Sequence, residues 1–309
     1  MDRLIDKIKK FMNPTVVGLD PKLSYIPDYI KKESVNSFGN TFKAAADCIL
    51  KFNMQIIDAI CDIVPAVKPQ MAYYELYGYE GISALYKTIS YAKSKGMYVI
   101  VDGKRNDIGT TMEAYSKAYL GKTELFDGEQ HSAFDGDSLT VNGYLGSDGI
   151  KPLLNDCLKH DKTIFVLMKT SNPSSGELQD RQFKDDELVY EHMGNMCEKW
   201  GKDTVGKHGY SKVGAVVGAT YPEQLKSIRE TAPHTYFLIP GYGAQGGKAE
   251  DIALGFDKEG LGGIVNASRS LMCAYKSDKW KEQFDEKDYA KATRAEAIRM
   301  RDEITSALW

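Results

Sequence analysis

Short apolar runs rich in β-branched residues recur along this chain, separated by longer stretches whose apolar positions repeat with helical spacing. Eight runs stand out: 15–19, 63–67, 97–101, 138–141, 163–168, 213–217, 236–239 and 263–265, with Pro65 near the start of the second. Helical patterns fill the intervals, among them 41–61, 82–95, 187–205 and 222–230, and the tail 286–308 reads as one long final helix. Strict alternation of strand and helix specifies a parallel sheet. Eight such units predict an α/β fold, a closed (β/α)8 TIM barrel forming a single domain over residues 1–309. An open doubly wound sheet is the second choice, but no Gly-x-Gly-x-x-Gly follows the first strand, which weighs against a dinucleotide site. Segments 121–136 and 170–177 read as long loops.

Composition narrows the function classes. The chain has 309 residues, 40 Lys plus Arg against 43 Asp plus Glu, and a formal net charge of -3. Such a balance argues against non-specific nucleic-acid binding, which relies on a basic surface. The five cysteines, Cys48, Cys61, Cys157, Cys197 and Cys273, are scattered and form no Cys-x-x-Cys pair, so neither a disulfide framework nor a zinc cluster is expected. The opening MDRLIDKIKKFMNP reads as a charged amphipathic helix rather than a secretory signal. No apolar run approaches membrane-spanning length. A cytoplasmic protein with no membrane partner is the expectation.

Barrel enzymes place their chemistry at the carboxyl ends of the strands. Reading each run to its end yields Asp20, Lys68, Asp102 with Lys104, Asn142, Lys169-Thr170-Ser171, Thr220, Pro240-Gly241, and Asn266 with Arg269. Asp102 and Lys104 are two apart on a strand and so share a face, with Asp107 three residues further on. An acid and a lysine held together bias each other's ionisation and can handle a proton; a plain structural ion pair is the competing reading. The glycine-rich 240–247 and the helix start at 266–270 look like a phosphate grip, since free backbone N–H groups and Arg269 can meet an anion. The five histidines share no metal-ligand spacing, and neither Gly-x-Ser-x-Gly nor His-Glu-x-x-His occurs. A lysine is therefore the expected proton carrier.

These residues resemble the orotidine 5′-phosphate decarboxylase family, and more closely its longer bacterial type. The motifs are Val17-Gly18-Leu19-Asp20-Pro21, Val67-Lys68-Pro69-Gln70, Asp102-Gly103-Lys104-Arg105-Asn106-Asp107-Ile108-Gly109, Lys169-Thr170-Ser171-Asn172-Pro173, 240–247 and Asn266-Ala267-Ser268-Arg269. The resemblance implies a barrel homodimer that converts orotidine 5′-phosphate to UMP with no cofactor and no metal. It implies an alternating charge array of Lys68, Asp102, Lys104 and Asp107, with Lys104 protonating C6 of the pyrimidine. Asp20 would bind a ribose hydroxyl. Asp107 and Thr111 would approach the ribose from across the dimer, with Ile108 also against the substrate. Ser171 would read the pyrimidine edge, and Gln245 and Arg269 would hold the phosphate. Gly103 and Asn106 stand where small residues, often Ala and Gly, are usual; altered loop packing is expected there.

The chemistry is coherent. Decarboxylation to a carbanion at C6 has no electron sink nearby, so a fixed ammonium must stabilise the charge and supply the proton. Two alternatives remain. A metal-dependent sugar-phosphate aldolase would share Asp102, Lys104 and Asp107 but would want a carboxylate at position 68, where a second ammonium repels a divalent cation. A catalytically silent nucleotide-binding barrel is the other.

Overall fold

The eight apolar runs become eight parallel strands. The computed structural model describes residues 1–243 and 247–308. Helix α1 (Asp2–Phe11) precedes β1 (Thr15–Leu19). Helices α2 (Asp28–Phe38) and α3 (Phe42–Ile60) lead to β2 (Ala66–Pro69), and α4 (Ala72–Glu75) and α5 (Gly78–Ser94) lead to β3 (Tyr98–Arg105). Then come α6 (Gly109–Tyr119), β4 (Ser138–Val141), α7 (Ser147–His160), β5 (Thr163–Lys169), α8 (Val189–Gly201) and β6 (Val213–Val217). Next are α9 (Pro222–Thr231), β7 (Phe237–Pro240), α10 (Ala249–Ala253), β8 (Gly263–Ala267), α11 (Arg269–Met272) and α12 (Tyr289–Leu308). Each strand pairs with the next in sequence, and β8 returns to β1 in the register Thr15–Val265, Val16–Asn266, Val17–Ala267. The barrel is therefore closed and has no free edge.

Side-chain alternation sorts two apolar clusters. Val17, Val67, Val99, Leu139, Val166 and Val265 face outward and pack under the helices. Val16, Ala66, Ile100, Phe165, Leu238 and Ile264 face inward, and Leu4, Ile5 and Ile8 of α1 join them. Helix α1 thus plugs the amino-terminal end of the barrel with apolar side chains. Inward-facing Lys68, Asp102 and Lys104 lie beyond this plug, at the carboxyl end; inward Ser138 and Thr163 at the amino end bond to each other, and Thr163 to Tyr98 Oη.

Several boundaries differ from expectation for local reasons. β2 starts at Ala66, after Pro65, which has no N–H to give to a ladder. It runs on through Lys68 and Pro69, which pair with Gly18 and Leu19 of β1. β3 extends four residues past Val101, carrying Asp102 and Lys104 inside the strand. Segment 121–136 is not wholly irregular: Thr123–Glu124 pairs antiparallel with Gln130–His131. Thr41 caps α3, its Oγ1 accepting the Ala44 N–H at 3.2 Å. The final helix begins at Tyr289, after a short 3-10 turn at Glu286–Asp288, and α8 ends at Gly201, four residues short of the expected limit.

Candidate active site

Asp102 is the hub of the barrel mouth. Its Oδ2 meets the Lys68 ammonium at 2.7 Å and accepts from Gln70 Nε2 at 2.9 Å. Its Oδ1 meets the Lys104 ammonium at 2.7 Å and accepts from Thr140 Oγ1 at 2.8 Å. Both carboxylate oxygens are therefore doubly engaged. Asp102 and Lys68 are each 5% exposed, whereas the Lys104 side chain is 47% exposed and reaches toward solvent. Burial alone would raise the Asp102 pKa, but the charges of Lys68 and Lys104 and their hydrogen bonds hold it well below the usual carboxylate range. Burial likewise opposes charge on Lys68, and Asp102 and then Asp20 outweigh it, holding the lysine above its ordinary value. The backbone at Lys104 is left-handed, with φ at 48°. A non-glycine residue there is strained by about 1–2 kcal/mol; the Thr140 Oγ1, accepting the Lys104 N–H at 3.0 Å, helps fix it.

A cavity of about 670 Å³ opens over this hub. Asp20 and Lys68 line one side, and Asn266, Ser268 and Arg269 continue round from β8. Asp20 Oδ1 is buried and has no hydrogen-bond partner, as a group waiting for a ligand hydroxyl would be. The β1 and β8 ends approach closely because Gly18 has no side chain: a Cβ there would lie 2.0 Å from Ser268 Oγ. Pro240 at the end of β7, with Gly241 and Tyr242 after it, completes that flank. Tyr242 donates to Glu303 Oε2 of α12 at 2.6 Å, which ties the β7 loop stem to the last helix. Gln245 lies outside the described residues.

Thr170, Ser171 and Asn172 line the opposite side, with Gln179 beside them. Ser171 can come this close to β6 because position 218 is glycine; a Cβ there would lie 2.9 Å from the Ser171 backbone. Three expected strand-end residues do not line the cavity. Asn142 instead closes a turn, its Oδ1 accepting the Tyr144 N–H at 2.9 Å. Thr220 Oγ1 is buried off the cavity. Lys169 is wholly buried and pairs with Asp180 at 2.7 Å. The reason is a register shift between Leu167 and Lys169 against β6. Leu167 opposes inward-facing Val216, but Lys169 opposes outward-facing Val217, so the bulge turns Lys169 away from the mouth.

The sequence profile of the orotidine 5′-phosphate decarboxylase / HUMPS family matches residues 16–282. A curated orotidine 5′-phosphate decarboxylase of Caldicellulosiruptor bescii is 41% identical over 307 residues, covering 99% of this chain and 98% of its own. That of Rhodopirellula baltica is 42% identical over 290 residues, 94% of this chain and 93% of its own. This chain belongs to the orotidine 5′-phosphate decarboxylase / HUMPS family. The solved structure of the Leishmania donovani OMP decarboxylase superposes with a TM-score of 0.71 at 28% identity, covering 97% of this chain and 98% of that one.

Within this family frame, the residues that sequence reading overlooked are the partners of Asp102. Gln70 stands two residues after Lys68, so strand alternation could have found it. Thr140 sits mid-strand in an apolar run, and only the closed barrel brings it beside Asp102. Asp107, Ile108 and Thr111 do not line this chain's own cavity. Asp107 Oδ1 accepts the Ile108 N–H at 2.8 Å, and Ile108 is 54% exposed. Of the two family-atypical positions, Gly103 faces Met71, whose Sδ would lie 2.9 Å from a Cβ there, and Asn106 is accommodated by Gly149, where a Cβ would sit 2.3 Å from its Oδ1.

Proposed function

We propose that this chain decarboxylates orotidine 5′-phosphate to UMP in de novo pyrimidine synthesis, without a cofactor or metal, as one barrel unit over its 309 residues. The observation that carries the reading is the Lys68–Asp102–Lys104 array, one buried carboxylate held between two ammonium groups at 2.7 Å each. As carbon dioxide leaves, the bonding electron pair stays on C6. The Lys104 ammonium, aimed at the cavity by Asp102 and by its strained backbone, stabilises that charge and delivers a proton to C6. Its half-exposed side chain can then regain a proton from water. Asp102 also faces the substrate carboxylate, and their repulsion favours its departure.

Asp20 binds a ribose hydroxyl through its unpartnered oxygen, Ser171 reads the pyrimidine edge, and Arg269, with Gln245, holds the phosphate. An aldolase of the same superfamily fits less well. Lys68 places a positive charge where a divalent cation would need an acid.

Asp107, Ile108 and Thr111 act in the site of a second copy, making the enzyme a homodimer. A cleft of about 520 Å³ beside Asp20, Gly103 and Lys104 leaves room for that contribution. Leu76, Tyr79, Ile108 and Tyr144 are 54% to 81% exposed, and all follow β2, β3 or β4 on one side of the mouth. A cytoplasmic location is part of this reading, and among the described residues no helix is long and apolar enough to cross a membrane.

The test is turnover of orotidine 5′-phosphate in heavy water, with and without EDTA. One deuterium at C6 of UMP and full activity in EDTA are expected. Activity lost in EDTA and restored by magnesium would overturn the cofactor-free mechanism.

A further inference from the structure

Lys169 is a fully buried ammonium that the charge array does not use. By strand alternation it belongs in the cavity, two residues after Leu167. The β5 bulge turns it outward instead, and there it finds a prepared place. Its Nζ meets Asp180 Oδ1 at 2.7 Å and Ser175 Oγ at 3.3 Å, and it lies 4.6 Å from the centre of the Tyr221 ring. Ser175 and Asp180 belong to the strap that leaves β5, lines one side of the mouth and leads to α8. A buried cation is costly to desolvate unless it is paired, so the strap cannot lift from Lys169 without stranding a charge.

A second contact works on the same strap one residue earlier. Gln179 Oε1 accepts the Thr170 N–H at 2.9 Å, and its Nε2 donates to Thr170 Oγ1 at 2.8 Å. Both ends of the Gln179 amide are thus engaged with the residue that precedes Ser171. The amide also lines the cavity.

We propose that Lys169 and Gln179 are positioning residues for substrate recognition: the Lys169–Asp180 pair and the Gln179–Thr170 clasp fold the strap back on β5 and so hold Ser171 at the pyrimidine edge. The inference rests on the reading that Ser171 contacts the base. An ion pair that merely anchored the fold would not need to act through Ser171, and this separates the two roles. The bulge, the pair and the clasp all converge on two consecutive residues, Thr170 and Ser171, at the cavity wall.

The experiment is a pair of double-mutant cycles on the full chain, reading kcat and KM for orotidine 5′-phosphate, with thermal unfolding of every variant. Lys169→Met and Gln179→Ala are each combined with Ser171→Ala. Each positioning variant is expected to lower kcat/KM about tenfold in the parent but less than about twofold when Ser171 is already alanine. Equal losses in both backgrounds, or no loss in the parent, overturn the inference while leaving the Ser171 contact intact. An inert Ser171→Ala variant overturns the Ser171 contact itself, and the inference with it. Should Lys169→Met fail to fold, Gln179→Ala decides alone, because its two bonds reach only Thr170 on a partly exposed strap.

Discussion

Asp102 and Lys104 divide the work of one ion-pair system between a buried and an exposed partner, and the consequences of losing each differ. Asp102→Asn leaves Lys68 buried without its anion, so unfolding stability should fall by about 3–5 kcal/mol along with activity. Its pH dependence has a definite sign. Asp102 is held below the usual range, so its ionised form stabilises the fold above about pH 4, and that share is lost as pH falls toward the folded value. Lys68 is raised, so its share is complete below about pH 10 and is lost only as pH rises through its folded value. The difference in urea midpoint between parent and Asp102→Asn should therefore shrink as pH falls below about 4. A difference that stays unchanged down to about pH 2 would assign the stabilisation to another group. Lys104→Ala removes a half-exposed side chain; its melting temperature should stay near the parent's while kcat drops about a thousandfold or more. A large fall in melting temperature with modest loss of turnover would make Lys104 a structural lysine.

At the level of elements, the proposed phosphate end depends on how closely β1 approaches the turn after β8. Gly18→Ala would drive a methyl group to 2.0 Å from Ser268 Oγ. The variant should lose about 1–3 kcal/mol of stability and weaken phosphate binding. Adding Ser268→Gly should recover most of both, since it removes the two Ser268 side-chain atoms that the methyl group meets. No recovery in the double variant would put the clash at Asn266 Oδ1, which would lie 3.0 Å from the added methyl group. Arg269 begins α11 at the same place. Arg269→Ala should reduce transition-state stabilisation by about 2–5 kcal/mol on orotidine 5′-phosphate. It should barely affect orotidine, which has no phosphate to hold. Equal impairment of both substrates would make Arg269 a scaffold residue.

For the whole molecule, the proposed sharing of the site between copies makes the sharpest prediction. Lys104→Ala and Asp107→Ala homodimers should each be nearly inactive. In a mixed dimer one site carries both lesions and the other carries neither. Random subunit exchange makes about half the dimers mixed, so roughly a quarter of parent activity should return. Verified exchange with no return of activity would place Asp107 in its own chain's service. The exposed apolar residues after β2, β3 and β4 should also become protected from labelling as concentration rises through the dimerisation range.

The barrel was legible in the sequence because alternation is a local property. Three runs, 15–19, 138–141 and 213–217, match their strands to the residue, and the rest fall within four residues. Lys68, Asp102 and Lys104 were legible for the same reason, since strand period and strand end together place them inward at the mouth. What the tertiary structure decided is everything that depends on a neighbouring strand. The β2 ladder continues through Lys68 and Pro69 because β1 lies alongside, and no propensity predicts that. Thr140 becomes a partner of Asp102 only when β3 and β4 pair. Lys169 has the same strand-end signature as Lys68, yet a one-residue shift against β6 sends it to the other face. Register is a relation between two chain segments far apart in sequence, so it cannot be read from either segment alone.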